Sequence, residues 1–430
     1  MIGPQSLVYD LTPEQAVMRQ RAKEFAEAEV EPVATDYDVD PRFPHELFAK
    51  MAESGLTGAP FPKKFGGEEV SYLEYVTMVE EVARVDAAAA VVMMLNYTLA
   101  GKPILFVGSE EQQQRWIPDL VTGKRVGAFA LSEPVAGSDA SAMRTIAIPD
   151  GDDYVLTGEK HYTTSGDVAD LFVIAAQVPV GESWRFAAFV LDDPDTPGFH
   201  RRRLEHKLGI RMSTMAKLRL EDVRIPAANM LGRPGKGFQT MMRTLDGGRV
   251  GISGQAIGVC QRAVEESVAF STQRHAFGGP IATLGAIQVM LADMATQCSA
   301  ARALVYRVAQ MFDAGDHWPI MASQAKLFAS RAANFCAYQN LQIHGGYGYF
   351  GELSIADRLF RDARILEIYE GTSQIQQLII SRSLTKEDAE HPFRDSAAPE
   401  PIDLPDPVQV VVDYEARKAA GEEENEGEEG

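Results

Sequence analysis

From Thr12 to about Leu120 apolar residues return every three to four positions, the spacing of one helical face. Thr12-Pro13-Glu14-Gln15 combines a capping hydroxyl, a proline at the first helical position and a glutamine three residues on. It predicts a helix that stops at Glu31, before Pro32. Further helices are predicted over 44–54, closed by Gly55, after Ser71 with Glu74, from Asp86 through an alanine-rich run, and from Ser109 with Gln112 to Leu120. The apolar run Ala87 to Leu95 is cut by Asn96 and reads as a buried helix too short to span a bilayer.

Near Gly127 the texture changes. Tyr154 to Leu156, Leu171 to Ala176, Phe186 to Leu191 and Leu218 to Val223 are short runs with β-branched or aromatic residues between Gly, Pro and Asp clusters, which predicts antiparallel strands. After Gly237 the helical period returns in long stretches at 240–273, 283–313 and 320–343, then at 353–362 and 373–384. Small residues along them suggest a close-packed bundle. The expected class is therefore α+β, mainly α. It comprises a helical domain over 1–124, an antiparallel β domain over 125–239, a helical bundle over 240–385 and an acidic tail over 386–430. The tail is expected to be disordered, with 408–414 as a short sticky segment at most.

Charge sharpens this division. The 430-residue chain carries a net charge of −20, and from Lys386 onward fifteen acidic residues face four basic ones. More than half the acid excess thus sits in the tail, which argues against nucleic acid or an anionic membrane as a partner of the body. Cys260, Cys298 and Cys336 are widely spaced without a metal-ligand or pairing pattern, and read as reduced, buried residues of a cytoplasmic protein. No basic segment followed by an apolar one stands at the N-terminus, so no secretory signal is expected.

The stretch that concentrates chemistry is Ile368-Tyr369-Glu370-Gly371-Thr372-Ser373-Gln374-Ile375-Gln376. Glu370 stands between an apolar run and a glycine, just before a helix expected to open with a capping box of Ser373 and Gln376. The free N–H groups and helix dipole there suit an anion such as a phosphate, and a carboxylate with apolar neighbours suits a base. Three further segments stand out. Phe129 to Asp139 (Phe-Ala-Leu-Ser-Glu-Pro-Val-Ala-Gly-Ser-Asp) is a loop of small residues and hydroxyls that allows close backbone approach to a ring edge or phosphate. Lys160 to Gly166 places Tyr162 before Thr163 and Thr164 at a strand end. Arg274 with Phe277-Gly278, and Gln342 to Tyr349 with Gly345-Gly346, could hold a phosphate and allow backbone contact.

Taken in order, Leu-Ser-Glu-Pro-x-x-Gly-Ser-Asp, Tyr-Thr-Thr, Lys207 to Arg211, Leu245-Asp246-x-x-Arg249, Arg274-x-x-Phe277-Gly278, Gln342-x-x-Gly345-Gly346 and Tyr369 to Thr372 resemble the acyl-CoA dehydrogenase family, closest to its short- and medium-chain branch. The resemblance spans roughly residues 10 to 384. It implies a homotetramer (or homodimer) that binds FAD at a subunit interface and acts in fatty acid β-oxidation. Phe129, Leu131, Ser132, Gly137, Ser138, Tyr162, Thr163 and Thr164 would hold the flavin ring. Arg274, Phe277, Gln342, Gly345 and Gly346 would reach the cofactor of a neighbouring subunit, and Thr372, Ser373 and Gln374 its phosphate and adenosine part. Ser138, Asp246, Arg249 and Gly371 would touch the acyl-CoA, and Glu370 would be the base. The implied reaction is α,β-dehydrogenation of an acyl-CoA thioester, with a proton leaving Cα to Glu370, a hydride leaving Cβ to flavin N5, and electrons passing to an electron-transfer flavoprotein. An oxygen-using oxidase, a non-catalytic flavin-binding scaffold and operation as an enoyl-CoA reductase are alternatives. Two positions depart from the family pattern: Gly285, where a glutamine is frequent, and Gly248, where some relatives carry the base. The acyl pocket is expected between the Ala87 to Leu99 segment and the 246–260 helix, lined by Met93 and Met94.

Overall fold

A computed structural model of the chain describes residues 11–316, 319–385 and 404–428. The N-terminal layer is helical: α1 (Pro13–Phe25), α2 (Glu31–Val39), α3 (His45–Glu53), α4 (Tyr72–Val85), α5 (Ala87–Leu95), α6 (Lys102–Val107) and α7 (Glu110–Val121). Capping boxes open α1, α4 and α7 at Thr12, Ser71 and Ser109, as the sequence predicts. Two breaks expected from the sequence are absent. A π-helical turn over Ala26–Val30 joins α1 to α2, so Pro32 falls in the first turn of α2, where no N–H is needed, and the helix runs on to Val39. Asn96 likewise does not end α5, because a second π-turn, Asn96–Gly101, carries it into α6. The Asn96 side chain is satisfied outside the helix, donating to Leu120 O and Arg125 O and accepting from Gly127 N, each at 2.8 to 2.9 Å. The merged segment Ala87–Val107 is apolar and long enough to cross a bilayer, and 72% of its most apolar window is buried inside the protein.

The middle domain is a sheet of β1 (Gly127–Ala130), β2 (Ile146–Asp150), β3 (Asp153–Thr164), β4 (Leu171–Val180), β5 (Ser183–Leu191), β6 (Phe199–Arg203), β7 (Met215–Pro226) and β8 (Met230–Leu231). Its order is β6-β7-β3-β2-β4-β5-β8, with β1 beside β4. Most pairs are antiparallel, as expected, but β1 runs parallel to β4 with Gly127 opposite Leu171, and β2 touches β4 in parallel at Ile146. The central strand β4 is buried from Leu171 to Val178, so it reads as one apolar run rather than an alternation.

The last domain packs α8 (Gly237–Gln273), α9 (Gly285–Asp313) and α10 (Pro319–His344) with the shorter α11 (Gly346–Tyr349), α12 (Ala356–Ala363) and α13 (Ser373–Thr385). A small hairpin of β9 (His275–Ala276) and β10 (Gly279–Pro280) joins α8 to α9. Close approach is dictated by glycines: a Cβ at Gly258 would lie 2.4 Å from Glu80 O of α4. Gly209 clasps the β domain to the bundle, since a Cβ there would stand 2.5 Å from the Arg361 backbone. Cys260, Cys298 and Cys336 are free and buried.

The expectation of a disordered tail is corrected for its second part. Pro407–Glu428 forms a helix, α14. Its first half is anchored to the β domain: Trp184 Nε1 donates to Pro405 O at 3.0 Å, and Tyr414 Oη and Lys418 Nζ reach Asp150 at 3.0 and 2.7 Å. The spaced prolines hid this anchoring, which depends on a carboxylate some 260 residues earlier in the chain. The part of that expectation covering 386–403 lies outside the described residues.

Candidate active site

Glu370 stands where a short 3₁₀ turn (Arg364–Glu367) gives way to α13. Both Glu370 and Gly371 have positive φ, 55° and 88°. The glutamate holds this strained backbone because its carbonyl is tied down: Gln376 Nε2 donates to Glu370 O at 3.2 Å and to Gly371 O at 2.9 Å, and Lys326 Nζ donates to Gly371 O at 2.8 Å. Gln376 therefore does not serve a capping box with Ser373. The N-terminal hydroxyl of α13 is that of Thr372, which accepts from Ile375 N at 3.3 Å. That leaves Ser373 Oγ buried at the helix mouth without a hydrogen-bond partner.

Behind the turn Tyr369 Oη donates to Gln255 Oε1, and Gln255 donates to Ala87 O at 2.7 Å, so the turn is pinned to α8 and α5. The Glu370 side chain faces α8 about two turns earlier, at Gly248. A Cβ at Gly248 would lie 2.6 Å from Glu370 Oε2, so the Gly248 departure is what leaves space for this carboxylate. Oε2 is sealed from solvent and has no hydrogen-bond partner among the described residues. Burial pushes the Glu370 pKa up to about 7, against the opposing pull of Arg249, Lys102 and Lys326. Arg249, nearly fully buried, bonds Asp246 Oδ1 at 2.6 Å and faces Glu370 O at 3.4 Å. Asp246, Arg249, Glu370 and Gly371 thus stand together at this turn. Met94 also meets this face of α8, with Sδ 3.2 Å from a Cβ at Gly251.

A second cluster joins the two loops singled out in the β domain. His161 N donates to Ser132 O at 2.8 Å, which brings Phe129, Leu131 and Ser132 beside Tyr162, Thr163 and Thr164. A register shift in the β3–β7 ladder between Lys160 and Thr163, with Tyr162 at φ 57°, turns the Tyr162 ring outward, 63% exposed. Thr163 Oγ1 and Ser165 Oγ are buried and unpartnered. Gly137 and Ser138 stand on the exposed half of the loop, and a Cβ at Gly137 would meet nothing within 4 Å.

What fixes this loop is a pair that sequence reading did not assign. Lys160 Nζ, fully buried, meets Glu133 Oε1 at 2.6 Å and Leu131 O at 3.3 Å. Glu133 also accepts from Thr145 Oγ1 at 2.5 Å, Arg144 N at 2.6 Å and Thr145 N at 3.0 Å. Burial lowers Lys160 to about 8. Burial alone would raise the Glu133 pKa, but Lys160 and these donors outweigh it and hold the carboxyl below its usual range.

The third group occupies an exposed end of the bundle. Phe277 and Gly278, at φ 53° and 89°, form the two-residue turn of the β9–β10 hairpin, which leaves Phe277 93% exposed. Arg274 lies over the Tyr347 ring at 5.3 Å, next to Gly345 and Gly346, and Gln342 is exposed nearby on α10. Gly285 is open, with nothing within 4 Å of an added Cβ. Sequence reading also passed over Lys102 and Lys326. A lone lysine inside the apolar run and another on the alanine-rich face of α10 were the available signals.

Three family models cover the chain in sequence: the acyl-CoA dehydrogenase N-terminal domain over 12–124, its middle domain over 128–223 and its C-terminal domain over 235–385. An acryloyl-CoA reductase (NADH) of Anaerotignum propionicum is 43% identical over 380 residues, 88% of this chain and 96% of that protein. Butyryl-CoA dehydrogenase from Megasphaera elsdenii superposes with a TM-score of 0.84 at 38% identity, covering 88% of this chain and 99% of that one. A chain in the structure described as the electron transferring flavoprotein of Acidaminococcus fermentans gives 0.85 at 38% identity, covering 88% and 100%. With all three domains matched and the fold shared, the chain belongs to the acyl-CoA dehydrogenase family of oxidoreductases.

Proposed function

We infer that the protein removes hydrogen from Cα and Cβ of an acyl-CoA thioester, with Glu370 as the base. One observation carries this reading: a carboxylate at a strained turn, its Oε2 sealed and unpartnered, facing a glycine that leaves it room. A pKa near 7 keeps a substantial fraction of such a group ionised at neutral pH while making it a stronger base than an ordinary carboxylate. Arg249 and Lys326 hold the turn that carries it. With substrate bound, the Glu370 N–H would be a donor for charge developing on the thioester oxygen.

The residues present fit FAD. Unpartnered buried hydroxyls at Thr163 and Ser165, the open backbone at Gly137 and the unpartnered Ser373 hydroxyl at the mouth of α13 are groups a flavin nucleotide would satisfy. When bound, FAD supplies the hydride acceptor. Phe129 to Ser138 and Tyr162 to Thr164 would hold its ring, and Thr372 to Gln374 its phosphate side. The exposed set Arg274, Phe277, Gln342, Gly345 and Gly346 has the character of a surface that completes the site of a second subunit, which supports a homotetramer or homodimer. An electron-transfer flavoprotein is the proposed acceptor.

The test is anaerobic titration of the purified protein with a panel of acyl-CoAs. Bleaching of the flavin with formation of the trans-2-enoyl-CoA is expected. A protein that takes up no FAD, or whose flavin no acyl-CoA reduces, would contradict the reading. Steady peroxide release in air would replace the dehydrogenase by an oxidase.

A further inference from the structure

The pocket holds more polar groups than proton abstraction uses. Lys102 opens α6 in the middle of an apolar segment and is 1% exposed, yet among the described residues its Nζ has no hydrogen-bond partner. The Tyr97 and Tyr72 rings approach it at 4.9 and 5.3 Å. Tyr75, 2% exposed, has an equally unpartnered hydroxyl.

Both groups point at one face of α8. A Cβ at Gly247 would lie 2.4 Å from Lys102 Nζ, one at Gly248 2.6 Å from Glu370 Oε2, and one at Gly251 3.4 Å from Tyr75 Oη. Gly251 follows Gly247 by four residues and Gly248 by three, so the Tyr75 hydroxyl stands on α8 between Lys102 and the base, and the three groups border one space. Lys102 acts on Glu370 electrostatically but does not bond it: among the described residues neither Nζ nor Oε2 has a hydrogen-bond partner, although pairing would satisfy both. Burying an ammonium and a hydroxyl with no acceptor is costly, and native interiors avoid it unless a ligand completes the site.

Two donors beside the expected path of the acyl chain define what would satisfy them. A methyl-ended chain would leave both unpaired. An acceptor at the far end would pair with both, and an anionic one best. Lys102 is aligned with the helix position next to the one that faces the base, so the distance from reacting carbons to acceptor is short. We propose that the pocket selects a short acyl-CoA carrying a carboxylate at the far end of its acyl group, held by Lys102 Nζ and the Tyr75 hydroxyl. The proposal rests on the acyl-CoA reading given above and adds its substrate class.

The experiment compares two acyl groups of equal length, glutaryl-CoA and pentanoyl-CoA, as substrates of the flavin-loaded enzyme with a dye acceptor under anaerobic conditions. The wild type is expected to favour glutaryl-CoA in kcat/KM by about a hundredfold, the range of one charge-assisted contact to a buried group. Lys102→Met, which keeps length and removes charge, should erase that ratio, and Tyr75→Phe should reduce it several-fold. Flavin content and circular dichroism confirm that each variant is folded. A wild type that prefers pentanoyl-CoA, or a ratio untouched by Lys102→Met, overturns the proposal. An equal loss for both substrates with the pH profile displaced upward also overturns it, since Lys102 would then act only by holding down the Glu370 pKa. If pentanoyl-CoA is turned over and glutaryl-CoA is not preferred, only the substrate class fails. If no acyl-CoA bleaches the flavin, the functional reading fails as well.

Discussion

Replacing Glu370 by glutamine should make the protein more stable above neutral pH while abolishing proton abstraction. Burial raises this carboxyl from an ordinary value of 4.5 to about 7. The folded state therefore binds the proton more tightly than the unfolded chain. Below pH 4.5 both states are protonated and the group costs nothing. Between 4.5 and 7 the unfolded chain ionises first, and stability falls as pH rises. Above pH 8 the full penalty is present, on the order of 2–3 kcal/mol from 1.36 kcal/mol per pKa unit. Glutamine has no such titration. The assay is the thermal midpoint of flavin-saturated wild type and Glu370→Gln from pH 4.5 to 9. The difference should be small at the acid end, open through pH 5–7 in favour of the variant and level off above pH 8. A difference that is flat across this range would show that the carboxyl is not desolvated, and the argument for it as base would fall.

The same pKa predicts that kcat/KM for an acyl-CoA rises with pH, passes its midpoint near 7 and then levels, as a base that must be ionised requires. Gly248→Ala places a methyl 2.6 Å from the present position of Glu370 Oε2, and the resulting displacement of the carboxylate should lower kcat/KM by about a hundredfold with flavin retained; a loss below threefold would refute the space argument. Lys160→Met strands a buried carboxylate and should cost about 3–5 kcal/mol and weaken flavin retention, with Glu133→Leu in the same chain restoring much of the stability. Removal of residues 404–430 should redshift the Trp184 emission by exposing its indole N–H, with Trp184→Phe as the control, and leave flavin bleaching unchanged.

The capping boxes at Thr12, Ser71 and Ser109 and the glycine-closed turns were legible because each is a local exchange of hydrogen bonds within four residues. The Glu370 turn was legible for a similar reason: a polar residue between an apolar run and Gly371 has few places to go. What lay beyond reading depends on partners distant in sequence. Asn96 looked like a break because its carbonyl partners at 120 and 125 and its amide partner at 127 come from another segment. Pro32 looked like a stop because a π-turn is invisible to a 3.6-residue period. The Ser373–Gln376 box failed because the Gln376 amide is drawn to two carbonyls released by positive φ at 370 and 371. Glu133 was in view as a motif letter, but its role is set by Lys160 on another strand.

The central claim is that one shielded carboxylate takes the Cα proton, and single-turnover flavin reduction tests it most directly. Wild type and Glu370→Gln, both loaded with FAD, are mixed anaerobically with an acyl-CoA that the wild type turns over, and flavin absorbance is followed. The wild type should bleach within the mixing experiment while the variant keeps its yellow colour. A variant that bleaches as fast as the wild type would place the base elsewhere in the chain.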